Sequence, residues 1–162
     1  MEASPVESPP LVAPMAETLP LLRVCALLNA VGARYLIAGG HACILHGIVR
    51  TTEDVDLLIE ATEENCARVI RALAQLEDGA AAELTPRDLL DNAVVKIADE
   101  VEVDVSTQAW TVTYAEAISA SLETVVQGVR IPYLGLDSLI ASKETYREQD
   151  RLDLLRLRGL KK

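Results

Sequence analysis

The chain has no phenylalanine, and aromatic residues make up only 3% of its 162 residues. Its core must therefore be assembled from Leu, Val, Ile and Ala. No apolar run approaches the roughly 20 residues that a membrane span needs. The opening Met1-Glu2-Ala3-Ser4-Pro5 has neither a basic segment nor an apolar signal core, so secretion is not expected. Cysteine is scarce: Cys25, Cys43 and Cys66 are scattered among apolar neighbours. An odd count without metal-ligand spacing argues against a disulfide framework and for small buried residues in a reducing cytoplasm. An excess of positive charge is missing too. The net charge is −10, which disfavours a broad nucleic-acid-binding surface.

What is present is a globular composition, half of it apolar, of a length that suits one domain with a real core. Residues 1–15 carry four prolines and read as a flexible leader, leaving 16–162 as the folded domain. Thr18 suits an N-cap, with Pro20 in the first turn of a helix that Gly32 ends. A strand follows over 34–38. Thr62-Glu63-Glu64 opens a second helix running to about Leu76. Residues 82–85 form a short strand or an extended connection, and Pro86-Arg87-Asp88 begins a short turn. Two strands, 93–98 and 101–106, pair as a hairpin across Asp99-Glu100. Tyr114 to Ser121 reads as a helix, and Gln127-Gly128 turns a second hairpin. Helices over 136–146 and 149–157 close the chain. Hairpins mixed with helical crossings predict an α+β fold: one compact domain, a mixed sheet with helices packed on it.

The chemistry concentrates between Leu36 and Glu60. The apolar run Leu36-Ile37-Ala38 ends on Gly39-Gly40, a turn whose bare backbone lets N–H groups approach a phosphate. Asp54-Val55-Asp56-Leu57 then begins a second strand. Strand periodicity puts both aspartates on one face, about 7 Å apart, where a divalent cation relieves their repulsion. Mg²⁺, or Mn²⁺ in its place, prefers such oxygen ligands and leaves positions for substrate phosphates. In Val101-Glu102-Val103-Asp104-Val105 the acids alternate with valines. If this strand pairs beside Val55 to Ile59, Asp104 completes a three-carboxylate cluster able to hold two metals about 3.5–4 Å apart.

Donors for phosphate stand nearby. Arg50, Thr51 and Thr52 immediately precede the acids. Lys143, Arg147 and Arg151 recur every four residues and share one face if their helix is continuous. From Lys143 to Lys162 seven basic residues face four acidic ones, a net of +3, while the rest of the chain carries −13. That segment either lies against the acidic body or makes a local site for a polyanion. Each part alone has a plain structural explanation: a turn, a wet sheet face, a solvated helix face. His41 and His46, five apart, suit structural or capping roles better than metal binding. The functional case rests on the parts taken together and in order.

That order resembles the DNA polymerase beta nucleotidyltransferase superfamily. Gly39-Gly40, thirteen intervening residues, Asp54-Val55-Asp56-Leu57 and then a distant Asp104 match its pattern. Gly39-Gly40-His41-Ala42, Arg50-Thr51-Thr52-Glu53 and the ending Leu139-Ile140-Ala141-Ser142-Lys143 with Arg147, Asp150, Arg151 and Asp153 look like its AbiEii-type, abortive-infection branch. The resemblance covers about Tyr35 to Leu157. It implies Mg²⁺-dependent transfer of a nucleoside monophosphate from an NTP to a hydroxyl acceptor. Gly39 and Gly40 would cradle phosphates. Asp54, Asp56 and Asp104 would bind metal, and Asp104 would also help activate the acceptor. Lys143 would stand near the nucleotide. The chain lacks the large helical extension with which many relatives hold an acceptor, which implies a partner protein or a homodimer.

Three functions compete at this point. The first is an active nucleotidyltransferase, one half of a toxin–antitoxin pair, modifying an RNA or tRNA end, a protein side chain or a small molecule. The second is a catalytically silent module of the same fold that keeps nucleotide or partner contacts. The third is an unrelated α+β interaction protein whose acids are surface groups. Convergence of Asp54, Asp56 and Asp104 separates the third from the others.

Overall fold

The computed structural model describes residues 15–161. The expected leader falls almost entirely outside them. Helix α1 spans Met15–Ala30, so Thr18 lies inside it rather than capping it, and Pro20 is an interior residue. Leu21, Leu22, Val24, Cys25 and Leu28 are buried along it. Strand β1, Tyr35–Ala38, is buried at all four positions. It leads without a loop into the short helix α2, Gly39–Leu45, then to strand β2, Val55–Ile59.

Helix α3, Glu63–Leu73, starts where the sequence puts it. Thr62 Oγ1 accepts from the Asn65 N–H at 3.1 Å, and Glu63 and Glu64 suit the positive end of the helix. Residues 82–85 are not a strand. Ala80–Glu83 forms a 3-10 turn, followed by the short helix α4, Pro86–Leu90, capped by a reciprocal Thr85–Asp88 pair. Strands β3, Val94–Ala98, and β4, Glu102–Ser106, make the expected hairpin. A small hairpin follows that the sequence reading passes over: β5, Gln108–Ala109, and β6, Val112–Thr113. Helix α5, Tyr114–Ala117, runs into a second 3-10 turn, Ile118–Ala120. Strands β7, Leu122–Val126, and β8, Val129–Tyr133, turn through Gln127 and Gly128, both at positive φ. Helices α6, Leu136–Ser142, and α7, Glu148–Gly159, end the described chain.

Six strands form one mixed sheet in the order β3-β4-β2-β1-β8-β7. The β4/β2 and β1/β8 pairs are parallel, and the other three are antiparallel. Helix α1 packs on β8 and β2 and against α3, while α2 packs on β1 and β2 and against α6. The result is a single α+β domain. Its core is almost wholly Leu, Val, Ile and Ala, with the three cysteines free and buried inside it. Burial pushes the Cys25 thiol up to about 12 and the Cys43 thiol up to about 11, which keeps both protonated at neutral pH. Among the described residues no helix is long and apolar enough to cross a membrane.

Candidate functional site

The site begins where β1 ends. Ala38 lies opposite Asp56 in the β1/β2 ladder, and the next residue, Gly39, enters α2 at φ 65°. A Cβ at Gly39 would collide with Asp56 Oδ2 and stand 2.6 Å from Asp56 Cγ. A Cβ at Gly40 would stand 2.8 Å from Thr52 Cβ and 3.2 Å from Arg50 Cζ. The glycine pair thus lets the segment carrying Arg50, Thr52 and Asp56 lie directly against the start of α2. The need for glycine is local and steric, with a left-handed φ at the first position.

The acids come together through the sheet. Strands β2 and β4 run parallel with Asp56 directly opposite Asp104, so neighbouring strands about 4.8 Å apart hold the two carboxyl groups side by side. They share a hydrogen bond. Asp56 is pushed up to about 7, first by burial and then by the charge of Asp104, with Lys143 pulling the other way. Lys96 reaches across from β3 and donates to both Asp104 oxygens, at 3.1 and 3.2 Å. Asp54 stands just before β2 and shares a hydrogen bond with Glu102, which raises the Glu102 carboxyl.

The acids therefore converge, but as two pairs. Among the described residues no group of three or more His, Cys, Asp or Glu side chains is gathered closely enough to grip a metal ion. The Asp56–Asp104 pair nonetheless fits a single Mg²⁺ or Mn²⁺. It offers hard oxygen donors, and both acids line a cavity. Mg²⁺ is commonly held by one or two carboxylates, with waters and substrate phosphates completing its shell.

The cations stand across the same cavity, about 450 Å³ in volume. Gly40, Arg50, Thr52, Asp54, Asp56, Asp104, Lys143 and Arg147 all line it, and Gly39 lines an adjoining one. The proposed basic ridge does not exist as such. Helix α6 stops at Ser142, and α7 starts only at Glu148. Lys143 is consequently buried, Arg147 stands at the break as the residue preceding α7, and Arg151 is exposed and lines neither cavity. Lys143 Nζ is 3.3 Å from Asp150 Oδ1 and 3.0 Å from Asp153 Oδ2, and Arg50 Nη1 is 2.6 Å from Asp153 Oδ2. Thr145 Oγ1 also donates to Asp150. Burial alone pulls the Lys143 ammonium down. The carboxylates of Asp153 and Asp150 outweigh it, so the net direction is upward. Lys143 is a cation at neutral pH.

Sequence reasoning passed over Lys96 as a site residue. Its signal was the hairpin register, which places it opposite Asp104. The ion-pair roles of Asp150 and Asp153 have no local signal, because their partners lie on other elements. His46 has a structural role, within the expectation of a structural or capping one: its Nε2 is 2.8 Å from the Leu134 carbonyl. His41 is buried.

No protein-family model and no curated protein matches the chain. Solved structures do match it in fold. One, from Thermotoga maritima, is described as a candidate nucleotidyltransferase. It shares 16% identity over 90% of this chain and 89% of its own, with a TM-score of 0.52. Another is an antigenic nucleotidyltransferase-like protein from Paracoccidioides brasiliensis. It shares 17% identity over 90% of this chain and 77% of its own, with a TM-score of 0.58. At these identities the likeness establishes the fold: a nucleotidyltransferase-like α+β domain.

Proposed function

We propose that the chain is a nucleotidyltransferase, moving a nucleoside monophosphate from an NTP to a hydroxyl acceptor. One observation carries the reading. Asp56 and Asp104, 48 positions apart, are brought edge to edge in one sheet. They meet beside a glycine pair, in a cavity whose other wall holds Arg50, Thr52, Lys143 and Arg147. Two crowded acids facing several cations suit a polyphosphate with its counter-ion.

Asp56 and Asp104 would hold the divalent cation, with Asp54 adding negative charge beside them. When bound, it supplies positive charge to the phosphates and polarises the reacting one. The chain's own groups do the rest. Arg50, Lys143 and Arg147 bind the polyphosphate as charge-assisted donors. Thr52 packs against Gly40 and helps place that wall. Asp104 lines both cavities and would take the proton of the acceptor hydroxyl. The acceptor oxygen forms a bond to the α-phosphorus as the bond to pyrophosphate breaks, and pyrophosphate leaves.

The finer reading is an AbiEii-type enzyme acting as half of a toxin–antitoxin pair in the cytoplasm. The motif wording around Gly39 and Lys143 supports the branch, and three buried free cysteines suit a reducing compartment. The acceptor is an RNA or tRNA end, a protein side chain or a small molecule, presented with the help of a partner protein or a second copy.

A second reading has its own support. Lys143 and Arg50 are already paired with Asp150 and Asp153, and Asp54 with Glu102. A nucleotide- or partner-binding module without turnover would look the same. Incubation with each α-³²P-labelled NTP and Mg²⁺, with cell RNA or lysate protein as acceptor, separates the two. Label transferred by wild type and lost in Asp56→Asn and Asp104→Asn establishes the enzyme. Full activity in both variants sinks the site assignment. No transfer by wild type from any NTP favours the silent module.

A further inference from the structure

The adjoining cavity, about 460 Å³, differs in character from the polar one. Asp56, Asp104, Lys143 and Arg147 belong to both, so they form a shared wall. The second cavity is also lined by Trp110 and Tyr146, which do not line the first. Their rings meet edge to face, with centroids 5.9 Å apart and planes at 87°. Both are open to solvent, Trp110 by 46% and Tyr146 by 85%.

Trp110 is the only tryptophan in a chain that has no phenylalanine. It is not spent on the core. It stands at the tip of the β5–β6 hairpin at φ 58°, a conformation that such a turn normally gives to glycine. A bulky side chain held there stores strain of the kind that collects at binding sites. Gln108 Nε2 donates to the Trp110 carbonyl at 3.0 Å and steadies the turn. Tyr146 comes from the break between α6 and α7, the same break that buries Lys143 and places Arg147 on the shared wall.

Resting on the nucleotidyl-transfer reading, we propose that Trp110 and Tyr146 form the ring-binding wall of this site, on which the nucleobase of the bound nucleotide stacks. The perpendicular pair gives a planar heterocycle one aromatic face to lie on and one edge to abut, both favourable to its π-system. The polyphosphate then occupies the polar cavity, and the reacting phosphorus falls at the wall common to both. Stacking of this kind tolerates any base, because every base has a π-face.

As the sole tryptophan, Trp110 reports the contact directly. The full chain is titrated with ATP, GTP, CTP and UTP in the presence of Mg²⁺, and separately with inorganic tripolyphosphate and Mg²⁺. The expected result is saturable quenching by the nucleotides and none by tripolyphosphate, although calorimetry shows both to bind. Tyr146→Ala should weaken nucleotide binding by about tenfold, and Tyr146→Phe should restore it. Tripolyphosphate affinity should be unchanged in both variants. By calorimetry, Trp110→Gly should also lose nucleotide affinity while unfolding no more easily than wild type, since glycine relieves the strained φ. If Tyr146→Ala binds nucleotide as wild type does, the stacking wall is wrong and nucleotidyl transfer still stands. Binding of neither nucleotide nor tripolyphosphate overturns both. Quenching by a short RNA with a free 3′-hydroxyl, but not by mononucleotides, places the stacked ring on the acceptor and overturns the assignment to the nucleotide.

Discussion

Asp56 concentrates the tension in this site. Its folded-state carboxyl is raised to about 7 from an ordinary 3.8. A raised acid favours folding only while protonated. Its contribution is intact below about pH 4 and is lost as pH rises through 7. Asp56→Asn should therefore stabilise the metal-free protein at pH 8 and make no difference at pH 3.5. Thermal unfolding of both proteins at the two pH values checks this. An unchanged midpoint at pH 8 would mean that the carboxyl is not crowded. Gly39 is the other sensitive residue. Gly39→Ala meets a left-handed φ and the Asp56 carboxylate at once, and should cost about 2–4 kcal/mol. Urea unfolding measures it. The motif residues were legible in sequence because their spacing is local. Why the glycines are glycines was not, because the atoms that exclude a Cβ belong to β2 and to the segment before it.

At the scale of elements, two polar joints hold the frame. Asn65 is buried on α3. It accepts from Arg34 N–H at 2.7 Å and donates to the carbonyls of Arg34 and Glu60 at 3.0 and 2.9 Å. It ties α3 to the start of β1 and the end of β2. Asn65→Ala leaves those backbone groups unpaired and should cost about 2–3 kcal/mol, read from chemical denaturation. The second joint is Asp153 on α7, almost wholly buried between Lys143 and Arg50. Asp153→Asn removes the charge facing two cations and should cost about 3 kcal/mol. The same change should strengthen tripolyphosphate binding, since Lys143 and Arg50 are released toward the cavity. Weaker polyanion binding in that variant would show that Asp153 orients the cations instead of restraining them. The alternation of valine and acid in β4 predicted its hairpin correctly. The helix expected over 136–146 ends at Ser142, and the basic ridge, which needed a continuous helix, fails because spacing by fours cannot register a break. The chain turns at Lys143 to bring Asp150 and Asp153 back against it.

For the whole molecule, the net charge of −10 and the crowded acids make added cation stabilising. Mg²⁺ should raise the melting temperature at pH 8, where Asp56 and Asp104 are both available as ligands, and do far less at pH 5, where Asp56 keeps its proton. An equal rise at both pH values, or one reproduced by NaCl at matched ionic strength, would assign the effect to general screening rather than to the site.

Sequence alone determined the α+β class, the composition of the core, the cap at Thr62, and the identity of most residues in the polar cavity. These are local properties, written in periodicity, turn chemistry and short spacing. Only the tertiary structure decided how those residues meet. The parallel pairing of β2 with β4 set Asp56 against Asp104. The break after α6 turned a supposed basic ridge into a buried ion cluster. The β5–β6 hairpin carried Trp110 to the rim beside Tyr146. Each of these contacts joins residues distant in the chain, and their energies depend on burial and charge that no single segment contains.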